Sequence, residues 1–135
     1  MAKQQPPEPI DLGFNDASFQ GKYGFSIIFG AHSAVGIGVA VSDGRGNFHG
    51  IQKLNAGGKF IPQTLVGTYR VFADGTGDAH VTLTMPDGST VEGDFDYVVL
   101  QAVDAGIVKI ATELQGMDRT PQGGAYGVSW FKRLP

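Results

Sequence analysis

From residue 19 onward the chain reads as short apolar runs in which bulky side chains alternate with polar ones or with glycine. Such alternation places successive side chains on opposite faces of a strand. Eight runs predict eight strands, at about 21–30, 34–42, 47–54, 64–73, 77–85, 90–103, 106–115 and 124–132. Turn signals separate nearly all of them: Asp43-Gly44, a glycine-rich loop over Asn55-Ala56-Gly57-Gly58-Lys59, Asp74-Gly75, Pro86-Asp87-Gly88 and Asp104-Ala105-Gly106. No stretch carries a helical period. Short links make sequential strands neighbours. The expected fold is all-β: an eight-stranded antiparallel up-and-down barrel at residues 19–135, preceded by a flexible N-terminal arm at residues 1–18.

An internal echo supports the meander. Asp43-Gly44-Arg45-Gly46-Asn47-Phe48-His49 returns as Asp74-Gly75-Thr76-Gly77-Asp78-Ala79-His80, and Gly21-Lys22-Tyr23 as Gly67-Thr68-Tyr69. Asp-Gly between β-rich runs is a strong hairpin signal. The alternative, a calcium loop, needs more ligands at set spacing, and the turn accounts for these residues without a metal.

Parity sorts the two faces. Taking the Tyr23 face as interior gathers Tyr23, Phe25, Ile27, Phe29, Val35, Ile37, Val39, Val41, Tyr69, Val71, Val81, Leu83, Met85, Val91, Phe95, Tyr97, Val99, Val108, Ile110, Leu114, Tyr126, Val128 and Trp130. Gln101 and Thr112 add polar groups to it. The opposite face carries Ser26, Arg70, His80, Glu92, Asp94, Asp96, Lys109, Glu113 and Ser129, together with Ile28, Ile51, Phe72, Val98, Leu100 and Phe131. Every Tyr and the single Trp fall inside, and no charged side chain from a strand body does. Val98 and Leu100, central in a long strand, point to a homodimer or higher homo-oligomer.

Composition narrows the classes. The chain of 135 residues suits one domain. It has no Cys, so thiolate chemistry and Cys-ligated metals are excluded. A net charge of −3 with scattered basic residues argues against a nucleic-acid partner. No apolar run reaches membrane-helix length. The N-terminus shows no signal core, so a cytoplasmic location is expected, with export open if a leader has been trimmed. Glycine, at 21 residues, stands at about twice its usual share of roughly 7%; Gly36, Gly38, Gly67, Gly93 and Gly127 lie within strands, where glycine marks bends or close approach.

The candidate chemistry is sparse. His32, His49 and His80 lack the local spacing of metal ligands, so no metal is expected. Arg70, Lys109 and Glu113 read as surface charge, and Glu92, Asp94 and Asp96 as a solvated ridge. There is no nucleophile elbow and no phosphate cradle. The remaining catalytic candidates are the phenols Tyr23, Tyr69, Tyr97 and Tyr126, each able to donate to a ligand oxygen or to act as a weak acid.

The set Gly21-Lys22-Tyr23, Gly36-Ile37-Gly38 leading to Asp43-Gly44, and Gly67-Thr68-Tyr69 leading to Asp74-Gly75 is similar to small bacterial proteins that look like calycin or allene-oxide-cyclase-type barrels. The resemblance spans about residues 19–133. It implies an eight-stranded barrel with a cavity for an apolar molecule, and it supplies no catalytic motif. The leading expectation is therefore binding of a small hydrophobic molecule, without a cofactor, by Tyr23, Phe25, Phe29, Ile37, Tyr69, Phe95, Tyr97, Gln101, Tyr126 and Trp130. One rival is a cofactor-independent cyclase or isomerase in the same cavity. Another is an interaction module with a filled core.

Overall fold

A computed structural model describes residues 10–30, 34–121 and 126–135. Eight strands run in chain order: β1 (Gln20–Phe29), β2 (Ala34–Asp43), β3 (Asn47–Ala56), β4 (Lys59–Val71), β5 (Thr76–Thr84), β6 (Thr90–Ala105), β7 (Val108–Asp118) and β8 (Gly127–Arg133). Each pairs antiparallel with the next, and β8 returns to β1 with Tyr23 opposite Arg133 and Phe29 opposite Gly127. The sheet is thus a closed up-and-down barrel.

The repeated Asp-Gly motifs are turns. The Asp43 carboxylate accepts from the Arg45 and Asn47 backbone N–H groups at 2.7 and 3.1 Å, and Asp74 accepts from the Thr76 N–H at 3.0 Å. Gly44 and Gly75 follow at φ +75° and +84°, a region that favours glycine. The expected loop at 55–59 is tighter than its sequence suggests. Ala56 pairs with Lys59 around Gly57-Gly58, so β4 starts at Lys59 and contains Pro62. The β4–β5 pairing begins only at Thr64, and a proline is tolerated where one side of a strand is unpaired.

Residues 1–9 of the expected arm lie outside the described residues. Residues 10–18 are tied to the barrel. The Leu12 N–H donates to the Ala73 carbonyl at 2.8 Å. A single helical turn, η1 (Asp16–Ser18), starts at Asn15, whose side chain and that of Ser18 satisfy each other's backbone N–H groups. The Asp16 carboxylate accepts from the Val71 N–H at 2.8 Å. This turn sets Phe19 into one end of the barrel as a plug.

Phe19 organises the core. Its ring centroid lies 4.8 Å from that of Tyr23, 4.9 Å from Tyr69 and 6.0 Å from Tyr97. Phe48, Leu65, Val71, Ala79, Leu83, Ala111 and Leu114 complete the cluster.

Parity holds on β1, β4, β5 and most of β6, and fails on β2 and β8. Val35, Ile37 and Val39 are exposed and Val41 shares their outward face, while the inward residues of β2 are Ala34, Gly36, Gly38 and Ala40. The cause is volume. Directly paired residues share a face, and Tyr23, Phe25 and Ile27 sit opposite Ala40, Gly38 and Gly36. A branched side chain there would collide with those rings. On β8, Val128 and Trp130 face outward and Gly127, Ser129 and Phe131 face inward, because Phe131 pairs with Phe25; Tyr126, just before the strand, is exposed. Gln101 is exposed: the β6–β7 register shifts at Val99–Ala102, and alternation does not carry across a bulge.

Candidate functional site

The aromatic plug fills one end of the barrel, and the described residues leave the other hollow. A cavity of about 650 Å³ occupies the second end, within the range of small-molecule sites. Its floor is a set of phenylalanines from four strands. Phe25 and Phe131 lie 5.2 Å apart, Phe95 stacks on Phe131 at 6.3 Å and 13°, and Phe48 meets Phe95 edge-on at 6.3 Å. Phe19 lies beneath them. The walls are aliphatic, from residues such as Ile27, Leu54, Ile61, Leu83, Met85 and Val91.

Four polar side chains interrupt this lining. Gln52 and Gln63 face each other across β3 and β4, and the Gln52 amide donates to Gln63 Oε1 at 2.5 Å. Gln63 Nε2 in turn lies 3.0 Å from Met85 Sδ. That leaves Gln52 Oε1 without a partner among the described residues, free to accept from a ligand. Ser129 and Asp118 stand on the β7–β8 side. Asp118 is the charged residue among the described lining. Its Oδ2 accepts from the Gly127 N–H at 2.8 Å. Burial raises its pKa above the ordinary carboxylate value, and the Gly127 bond pulls the other way. No cationic side chain pairs with it among the described residues.

The sequence-predicted site residues divide into three groups. Phe25, Phe29 and Phe95 line the cavity. Tyr23, Tyr69 and Tyr97 are interior but belong to the plugged end, outside the cavity lining. Their hydroxyls donate to backbone carbonyls: Tyr23 to Ala111 at 2.6 Å, Tyr69 to Phe19 at 2.8 Å and Tyr97 to Arg70 at 2.6 Å. Burial lifts the Tyr23 phenol to about 12 and pushes Tyr69 and Tyr97 upward too. Ile37, Gln101, Tyr126 and Trp130 are on the outside. Sequence reasoning missed Asp118, Gln52, Gln63, Ser129 and Phe131. The glutamines are legible in retrospect, since Gln52 aligns with interior Leu83 when the two Asp-Gly motifs are superposed.

The outer surface has two characters. On β4–β6 it is ionic. Arg70 grips Asp78 at 3.0 and 2.7 Å, Arg119 pairs with Asp96, and His80 bridges Asp94 at 2.8 Å and Glu92 at 3.4 Å. The expected acidic ridge is therefore balanced by these three bases. His49 is exposed, and His32 lies outside the described residues. Across β8, β1 and β2 the exposed residues instead include a group of apolar ones, Val128, Trp130, Ile28, Val35, Ile37 and Val39, and β3 adds Ile51.

No family model and no curated sequence matches the chain. A solved structure described as "De novo design of a fluorescence-activating beta barrel" aligns over 93% of this chain and all of its own, at 12% identity and a TM-score of 0.49. Nothing in these comparisons ties the chain to calycins or allene oxide cyclases.

Proposed function

We propose that the protein binds a small, mainly hydrophobic molecule in the hollow half of its barrel. One observation carries this reading: a phenylalanine-floored cavity of about 650 Å³ that the described residues do not fill with their side chains. Apolar surface removed from water there stabilises a complex by roughly 25 cal/mol per Å² before the losses of binding. The cavity volume favours a ligand site over a filled interaction module. The cyclase or isomerase reading with a phenolic acid draws no support, because the three interior phenols are committed to carbonyls at the far end.

The neutral dye Nile red tests the proposal. It should bind saturably, one per barrel, with enhanced fluorescence. Ala56→Trp, at the lining near the β3–β4 turn, should weaken binding tenfold or more without lowering the melting temperature by more than a few degrees. Tyr→Phe changes at 23, 69 and 97 should leave affinity unaltered. Absence of saturable binding would overturn the reading.

Self-association belongs to the same proposal, at a different surface from the one Val98 and Leu100 suggested. Met117, Val128, Ile28 and Val35 form one outward row across β7, β8, β1 and β2, with Trp130 and Ile37 in the next row and Val39 beside Ile51 in a third. All eight are exposed. Their combined area is several hundred Å², the scale of one side of a standard interface at about 800 Å² per partner. A second copy of the chain is the occupant we infer.

A further inference from the structure

We propose that the ligand carries an ammonium group, seated against Asp118 beside the Phe95–Phe131 ring pair, with its apolar body among the aliphatic walls of the cavity. The inference rests on the cavity reading above and names its ligand class.

The β7–β8 corner is built around the carboxylate. Asp118 is register partner to Phe95 on β6, so the two side chains share the inward face. Gly127 stands beside it on β8, and a Cβ there would lie 2.9 Å from Asp118 Oδ2 and 2.8 Å from Ile27 Cδ1. Only glycine lets the strand bring its N–H this close to the acid while Ile27 packs alongside. One carboxylate oxygen is fixed by that N–H, and the other has no partner among the described residues. Ser129 follows two positions along β8 and is also directed inward.

A carboxylate in an apolar cavity with no cationic partner among the described residues is electrostatically incomplete. Burial disfavours its charge, and a ligand cation restores the balance by a charge-assisted hydrogen bond. The adjacent phenyl faces attract the same kind of group through their quadrupoles. An acid next to aromatic faces selects amines over alcohols, and rejects carboxylates by like-charge repulsion. The glutamine pair can bond a polar group further along the ligand but holds no charge to choose its sign.

The test is competition of n-decylamine, n-decanol and decanoate against Nile red, below micellar concentrations and at neutral pH. Decylamine should displace the dye at least tenfold more tightly than decanol, and decanoate most weakly. In Asp118→Asn the amine and the alcohol should converge. Asp104→Asn, in the distant β6–β7 hairpin, should keep the amine preference, which separates a local contact from the net charge of −3. Equal affinity of amine and alcohol in the native chain, or a preference that survives Asp118→Asn, overturns this inference while leaving the cavity reading intact. Failure of all three chains to displace the dye overturns this inference and restricts the cavity to other shapes. Failure of the dye itself to bind overturns the cavity reading, and this inference with it.

Discussion

At the scale of single residues, Asp118 sets stability against recognition. Its carboxyl titrates above its ordinary value because burial penalises the charge. A folded-state pKa above the unfolded one means that folding takes up a proton. The favourable contribution is complete below the ordinary carboxylate range and is lost as pH rises through the folded value. Asparagine is neutral throughout and can accept the Gly127 N–H through Oδ1. Asp118→Asn should therefore melt a few degrees above the native chain at neutral pH, with the difference vanishing at about pH 3. Thermal melts at the two pH values check this, and a native chain that melts higher at neutral pH contradicts it. A residue whose replacement stabilises the fold is one retained for something other than folding. Asp118 was not legible in the sequence because its strand was expected to end near residue 115. Its importance comes from closure of the barrel, which brings β8 and Gly127 beside it.

At the scale of elements, the interior is assembled from rings lying over glycines. Phe25 pairs with Gly38, Phe48 with Gly67 and Tyr97 with Gly77, each across a strand boundary. In each pair a Cβ on the glycine would overlap the ring and a backbone carbonyl. Covering an in-strand glycine with a cross-strand aromatic restores the packing that the missing side chain forfeits. Gly67→Ala should destabilise by about 1–3 kcal/mol through overpacking, and Phe48→Ala by about 3–5 kcal/mol through the lost ring. The double variant should fall short of their sum, because removing the ring removes part of the clash. Denaturant unfolding measures this, and strict additivity would sink the pairing argument. The same pairs explain where sequence reading succeeded and where it failed. Strand number, order and the turns followed from Asp-Gly signals and alternation. On β2 the branched residues looked like the core, since burial of bulk is the usual rule. The rule inverts when the neighbouring strand supplies the bulk. The repeat held the answer: aligning Asp43 on Asp74 sets Gly38 on Tyr69, Ala40 on Val71, Phe48 on Ala79 and Leu54 on Met85, all inward. Nothing comparable marked β8, whose inward face is Gly127, Ser129 and Phe131 and whose outward face holds the larger residues.

At the scale of the whole molecule, inverting β2 and β8 turns their apolar residues outward onto one side of the barrel, while β4–β6 carry the ion pairs on the other. A membrane-spanning barrel has an apolar belt on all sides and a polar lumen; this chain has an ionic outer flank and an apolar interior. The one-sided distribution fits a contact with a second sheet face, in which Ile37, 63% exposed, stands near the centre. A two-fold arrangement places the same patch on both subunits, so a single substitution acts twice. Ile37→Lys should convert a micromolar dimer into a monomer by sedimentation. As an exposed position it should change the unfolding free energy of the monomer by no more than about 0.5 kcal/mol. Val98→Lys and Leu100→Lys, on the other flank, should leave association unchanged. A native chain that sediments as a monomer at high micromolar concentration, or a dimer indifferent to Ile37→Lys, would show that this face is covered by something other than a second copy. The cavity is lined by inward-facing residues and the apolar face is made of outward-facing ones, so dimerisation leaves the cavity lining untouched. Nile red stoichiometry should therefore stay at one per chain in both the native protein and Ile37→Lys.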